Sequence, residues 1–279
     1  MTGQPTALEV WGDPIEHSLS PRLHAAAYAQ LGYDWTYGRR RVDEAGFDRE
    51  LAGLGAEFRG LSCTMPLKAA AYAAADERDH RAVLTGAANT LLLTGGRRRA
   101  FNTDVGGIVR ALADLGVTRV SSPRIVGAGS TATSALVALS ELGADRVTVA
   151  ARRPGAVQPL IDLGTRLGIR VNAASLDQDP TDPHDLTVST LPGAAAIASE
   201  TARRLAAAGG VLFDVVYGHW PTALATAWEQ AGQVAVNGEG MLLHQAVLQI
   251  RLFATGDVSA GLPDEQAVVA VMRSALVGG

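Results

Sequence analysis

Ile125-Val126-Gly127-Ala128-Gly129-Ser130-Thr131-Ala132 reads as the end of a buried strand, a tight turn and the start of a helix. Gly127 permits the turn, Gly129 lets backbone approach a bound group closely, and Ala132 allows helix and strand to pack tightly. The amides at the helix N-terminus would then face negative charge such as a pyrophosphate. G-x-G-x-x-A alone is a weak signal, and a structural turn in an unliganded α/β domain is its alternative. Its position between a strand and a helix, with another strand following at 146–150, points to a dinucleotide site.

Working outward, residues 124–126, 146–150, 186–189 and 211–216 read as strands, and residues 131–142 and 160–167 as helices. Strand and helix alternating in this way predict parallel strands joined by right-handed crossovers. Ahead of this region lie predicted strands at 7–12, 35–42 and 59–63, and a hairpin of 91–94 and 97–101 turning on Gly95-Gly96. Ser20-Pro21 is read as N-cap and first residue of a helix that Gly32 closes, with Leu23, Ala27 and Leu31 as its buried stripe. A second helix runs from Lys68 to Asp76. The chain ends in helices 240–255 and 264–276, separated by Gly261-Leu262-Pro263. Residues 180–184 read as a loose surface loop.

The end of the second parallel strand carries cofactor choice. An acidic residue there binds the ribose hydroxyls of NAD and repels a 2′-phosphate. This chain has Ala150-Ala151-Arg152-Arg153 instead. Two guanidinium groups without a carboxylate favour NADP, although arginines at strand ends are also ordinary solvated surface.

Composition excludes several other classes. The 279 residues are 47% hydrophobic and 19% charged, as in a folded globular protein. A net charge of −4 gives no reason to expect a nucleic-acid partner. Cys63 is the only cysteine, so no intramolecular disulfide forms and a reducing compartment fits best. With no export signal in residues 1–5 and no apolar run long enough to span a bilayer, the expected location is the cytoplasm. No metal site is expected.

Lys68 is the single lysine among 24 basic residues. A lysine amine can be tuned to exchange a proton, whereas arginine stays charged. Chance is the alternative, but Lys68 closes Ser62-Cys63-Thr64-Met65-Pro66-Leu67-Lys68, just after a strand. Asn102-Thr103-Asp104 ends another strand, so Lys68 and Asp104 are candidates for an acid–base pair; a structural salt bridge is the other reading. Ser18 and Ser20, in His17-Ser18-Leu19-Ser20-Pro21, stand at a helix N-terminus, where a carboxylate pocket or a plain serine cap is possible.

Taken in order, these segments resemble the shikimate dehydrogenases over nearly the whole chain: H-S-x-S-P, T-x-P-x-K, Ala88-Asn89-Thr90, N-T-D, the glycine-rich turn, and the segment from Gly238 to Ala246. The resemblance implies reduction of 3-dehydroshikimate to shikimate by NADPH. It implies an α/β chain of two domains: an N-terminal substrate domain of residues 1–104 plus 239–279, and a Rossmann-like, doubly wound NADP domain of residues 105–238. The C-terminal helices pack back on the first domain, and the active site lies in the cleft between the two.

Lys68 and Asp104 match the family's catalytic pair. Ser18, Ser20 and Tyr217 match its carboxylate ligands, and Thr64, Asn89 and Gln245 the residues that hold the ring and its hydroxyls. Gly127, Ala128, Gly129, Ser130, Arg152 and Arg153 fall in the cofactor segment, with Val215, Gly238 and Met241 near the nicotinamide. The chain departs from the family pattern at Ser62 (often Asn), Val105 (often Gly), Ala151 (usually Asn) and Arg153 (usually Thr). Ring selectivity for quinate or an amino-shikimate, a non-catalytic NADP sensor, and a monomer or homodimer all stay open at this level. A methylene-tetrahydrofolate dehydrogenase would need a tyrosine-x-x-x-lysine helix, which is absent.

Overall fold

The computed structural model describes residues 6–178, 182–208 and 210–277, and these divide into two compact units. One comprises residues 1–107 and 242–279, the other residues 108–241. Of the expected loop at 180–184, residues 180 and 181 lie outside the described residues.

The first unit opens with β1 (Thr6–Gly12), α1 (Ser20–Leu31), β2 (Trp35–Arg41), α2 (Phe47–Ala52), β3 (Phe58–Cys63) and α3 (Lys68–Ala73). It continues with β4 (Glu77–Arg78), α4 (His80–Thr85), β5 (Thr90–Thr94), β6 (Arg97–Phe101) and α5 (Thr103–Asp114), inside which the division falls. The six strands form one mixed sheet in the order β2-β1-β3-β5-β6-β4. Gly95 and Gly96 turn β5 into β6 with φ of 66° and 69°, the left-handed pair that a two-residue hairpin demands. Trp11 and Phe47 anchor the core edge to face at 5.9 Å, over Leu61, Leu91 and Ala100. An aromatic pair of this kind adds about 0.5–1.5 kcal/mol beyond the area it buries.

The second unit holds β7 (Arg124–Val126), α6 (Ser130–Glu141), β8 (Arg146–Ala151), a 3-10 turn (Pro154–Val157), α7 (Gln158–Leu167) and β9 (Arg170–Ser175). After these come β10 (Leu186–Ser189), α8 (Ser199–Ala207), β11 (Val211–Asp214), α9 (Ala223–Gln230) and β12 (Ala235–Val236). All the strand pairs are parallel, in the order β12-β11-β10-β7-β8-β9. Numbered within the unit this is 3-2-1-4-5-6 reversed, the doubly wound order, and its direction switches between β7 and β10. Parallel pairing of β7 with β8 sets the carboxyl ends of both strands, and thus Gly127 and Arg152, on one edge of the sheet.

Helices α10 (Glu239–Thr255) and α11 (Glu265–Val277) end the chain, and α11 packs on α1 within the first unit. α10 lies so close to β3 that a Cβ on Gly60 would meet the Phe253 ring at 2.5 Å. Leu243, Ala246, Val247, Ile250 and Phe253 are all buried. A helix apolar on most sides is one that the fold encloses.

Several expectations need correction. Ser20 is not the N-cap: that position is Leu19, without a side-chain cap, and Ser20 is the first helical residue with Pro21 following it. The Ser18 hydroxyl accepts the Ser20 amide at 3.4 Å, which leaves the Ser20 hydroxyl for another partner. Asp104 does not end a strand but sits in the first turn of α5. Gly106-Gly107 hid this helix in the sequence, and a Cβ on Gly106 would stand 2.6 Å from the Leu248 side-chain tip, so the helix packs closely at this point. Helix α3 ends at Ala73 rather than Asp76, and β11 at Asp214 rather than Val216.

His24 supplies a stability prediction. It is fully buried, stacked on Tyr37 at 3.8 Å, with Nδ1 2.9 Å from the Tyr28 hydroxyl. Burial drives its pKa down to about 3, so the folded protein holds it neutral. The unfolded chain protonates it near the ordinary value of about 6.5, so stability falls as pH drops from there toward the folded value, by at most about 1.4 kcal/mol per unit. Urea unfolding at about pH 7 and about pH 5 should show the parent losing up to about 2 kcal/mol more than His24→Phe. Equal acid losses in the two proteins would show that another group is responsible.

Candidate active site

Unit one gathers its polar side chains where β3 and β6 end and β5 begins. Thr64 to Leu67 forms a tight turn after β3, closed by the Leu67 amide on the Thr64 carbonyl at 2.7 Å, and α3 then begins with Lys68. The Lys68 ammonium donates to Asp104 Oδ2 at 2.5 Å. Side-chain exposures of 14% and 7% place this ion pair largely out of water, yet not sealed from it. Strands β3 and β6 are not direct neighbours, because β5 pairs with both. The carboxylate therefore reaches the amine across the start of β5, where Asn89 lies.

Asn89 occupies the centre. Its Oδ1 accepts the Thr103 amide at 2.8 Å, which identifies the oxygen, and its Nδ2 donates to Asp104 Oδ1 at 2.8 Å. Gln245, on α10, offers Oε1 to the same Nδ2 at 3.3 Å. Asp104 is thus held at both oxygens, by an ammonium and an amide, and its own amide donates to Asn102 Oδ1. A carboxylate so fixed cannot rotate away from the lysine without breaking a buried hydrogen bond, which costs about 1–3 kcal/mol.

Ser20 is buried, and the Tyr37 phenol donates to the Ser62 hydroxyl at 2.6 Å. Thr64 packs against Gly12 so tightly that a Cβ there would stand 2.4 Å from Thr64 Cγ2. Cys63 is buried and its thiol is pushed up to about 12 by burial, so it stays protonated and is no nucleophile. Among the described residues no three His, Cys, Asp or Glu side chains gather as a metal-binding group. No helix there is long and apolar enough to cross a membrane.

The second unit carries the other predicted set. Gly127 has φ of 112°, and a Cβ on it would meet Thr190 Oγ1 at 2.6 Å, so only glycine fits. A Cβ on Gly129 would meet nothing within 4 Å, leaving the turn of half-buried Ala128 and exposed Gly129 and Ser130 open to a close-lying group. No side chain caps α6, so its first amides remain available to a pyrophosphate. Arg152 and Arg153 follow β8, both exposed and without an ion pair among the described residues. These features fit an NADP phosphate backbone and 2′-phosphate.

Val215 and Gly238 stand backbone to backbone, the Gly238 amide donating to the Val216 carbonyl at 2.9 Å. Met241 is buried nearby in sequence, at the start of α10. Tyr217 is half-buried, and burial raises its phenol.

Sequence reading missed Asp214, Tyr37 and Gln249. Asp214 accepts the Thr222 hydroxyl at 2.8 Å and the Val216 amide at 3.3 Å, and so shapes the segment that presents Val215 and Tyr217. Burial raises its carboxyl. Nothing local to the sequence marks Asp214 or Tyr37. Gln249 had one signal, its spacing of four from Gln245 on a helix.

Comparison with known proteins adds an independent line. The family described as the shikimate dehydrogenase substrate binding domain matches residues 10–91. A shikimate dehydrogenase (NADP(+)) of Methanothermobacter thermautotrophicus is 32% identical over 265 residues, covering 92% of this chain and 94% of the relative. The crystal structure of Mycobacterium tuberculosis shikimate dehydrogenase superposes with a TM-score of 0.85 at 41% identity, over 99% of this chain and 100% of that one. Shikimate 5-dehydrogenase from Thermus thermophilus, solved with NADP(H) and shikimate, gives 0.79 at 30% identity, over 97% and 99%.

Proposed function

The chain belongs to the shikimate dehydrogenase family, and from that premise we propose how its own residues divide the work. It catalyses the reversible NADPH-dependent reduction of 3-dehydroshikimate to shikimate, on the route to the aromatic amino acids. Residues 1–104 with 239–279 serve the substrate, and residues 105–238 serve NADP. The observation that carries the assignment is the buried contact of 2.5 Å between Lys68 Nζ and Asp104 Oδ2, with Asn89 holding the other carboxylate oxygen.

When bound, NADPH supplies the hydride. Gly127, Ala128, Gly129 and Ser130 offer backbone and helix N-terminus to its pyrophosphate, and Arg152 and Arg153 pair with the 2′-phosphate. Val215, Gly238 and Met241 line the nicotinamide. Ser18 and Ser20 take the substrate carboxylate, while Thr64, Asn89 and Gln245 hold the ring hydroxyls. Lys68 stabilises the oxygen that gains charge and delivers a proton from Nζ, directly or through water. Asp104 keeps the ammonium aimed and accepts from a ring hydroxyl.

The test is nicotinamide absorbance with shikimate and quinate crossed against NADP and NAD, on the parent and on Arg152→Ala/Arg153→Ala. We expect fast reduction only with shikimate and NADP. In the double variant KM for NADP should rise about 10-fold or more, because each lost guanidinium removes a charge-assisted pair of roughly 1.5–3 kcal/mol or less when exposed. An unchanged KM would remove the two arginines from the cofactor site. Strong activity with quinate would move the protein to a broader ring specificity.

A further inference from the structure

Gln249 lies one turn beyond Gln245 on α10 and is 1% exposed. Every polar atom of its amide is used. Oε1 accepts the Ser62 hydroxyl at 3.0 Å, and Nε2 donates to the Asn89 carbonyl at 3.2 Å and to Thr90 Oγ1 at 3.1 Å. The consequences run in one direction. Because Thr90 Oγ1 accepts a hydrogen bond from Gln249 Nε2, its own hydrogen is free to point at Asn89 Oδ1, 2.9 Å away. Asn89 Oδ1 also accepts the Thr103 amide, so the side-chain amide of Asn89 has a single orientation, with Nδ2 on Asp104. On the other side Ser62 accepts the Tyr37 phenol at 2.6 Å, which carries the same chain of hydrogen bonds on to β2.

We propose that Gln249 is a positioning residue for the reaction: through Thr90 and the Asn89 carbonyl it locks the Asn89 amide on Asp104, and so holds the Lys68–Asp104 pair in its working geometry. The proposal rests on the assignment of Lys68, Asp104 and Asn89 above. Gln249 touches none of the reacting groups. Its influence must therefore pass through Asn89, and that requirement makes it testable.

Gln249→Met keeps length and removes the amide; Thr90→Val keeps shape and removes the hydroxyl through which Gln249 acts. Each should lower kcat about 10-fold while leaving KM for NADP unchanged, and each should have no further effect on kcat in an Asn89→Ala background, since groups that act as one unit are not additive. Thr90→Val carries the test should Gln249→Met fail to fold. Normal turnover in both variants, or equal additional losses in the Asn89→Ala background, would overturn the role of Gln249 and reduce it to packing. If Asn89→Ala itself turns over normally, the assignment of the site fails, and the proposal falls with it for that distinct reason.

Discussion

Lys68→Arg is expected to lose turnover by about 10²-fold or more, and Lys68→Ala at least as much, the usual scale for acid–base and charge stabilisation. Arginine keeps the positive charge but does not release a proton, and its planar fork is a different shape from a compact ammonium. The surroundings leave little room for the exchange. Nζ stands 2.5 Å from Asp104 Oδ2 with only 14% of the side chain exposed, and the carboxylate is already held by Asn89 at 2.8 Å. A longer guanidinium would have to push Asp104 off Asn89 or leave the pair. Steady-state kinetics with shikimate and NADP checks this, and KM for NADP should hardly change, because no cofactor residue is altered. Near-normal kcat in Lys68→Arg would sink the proton-transfer role and leave Lys68 as a point charge.

Gly238→Ala should raise KM for NADP by roughly 10-fold or more and lower the melting temperature, as overpacking typically costs about 1–3 kcal/mol. The added Cβ would stand 2.0 Å from the Val215 carbonyl oxygen and 2.4 Å from its carbon. Those are backbone atoms, so no side-chain rotation relieves the clash. The Gly238 amide is bonded to the Val216 carbonyl, and Val215 to Ser189, so the displacement is passed along the loop that carries Val215 and Tyr217. Direct titration of NADP binding, read beside thermal melting, is the check. Unchanged affinity in a destabilised protein would show that this backbone contact serves folding alone and would take Val215 and Gly238 out of the cofactor site.

The two predictions draw on different kinds of information. Lys68 stands out in the composition alone, since one lysine among 24 basic residues is an exception, and it is placed after a strand. Gly238 is one of 31 glycines. Only the close approach of two chain segments distant in sequence shows why it cannot carry a side chain. The same contrast separates Gly127, legible from its motif, from Gly106, which packs closely on Leu248 of another helix.

The parallel strands β7, β8, β10 and β11 were readable because they are short apolar runs set between helices, and the phosphate turn sits at one strand end; the doubly wound order came from the family resemblance. Turn chemistry is local: Gly95-Gly96 announced its hairpin, and Gly32 its helix end, because positive φ is a property of the single residue. Helices α8 and α9, and the strand β9, were missed because small residues such as alanine and threonine, rather than large apolar side chains, make up much of their buried and half-buried faces, as at Thr201, Ala202 and Ala206 of α8.

The sequence by itself therefore determined the α/β class, the position of the dinucleotide turn, and the residue types able to do the chemistry, all of which depend on local conformational preference and side-chain identity. Tertiary structure decided what no local pattern encodes: that Asp104 opens a helix, that Asn89 stands between Asp104 and Gln245, and that Gln249 joins Ser62 and Tyr37 to that group. The physical reason is that a buried hydrogen bond has direction and a reach of about 3 Å. Its partners here are separated by up to 187 positions along the chain, and only the packed fold brings them within that reach.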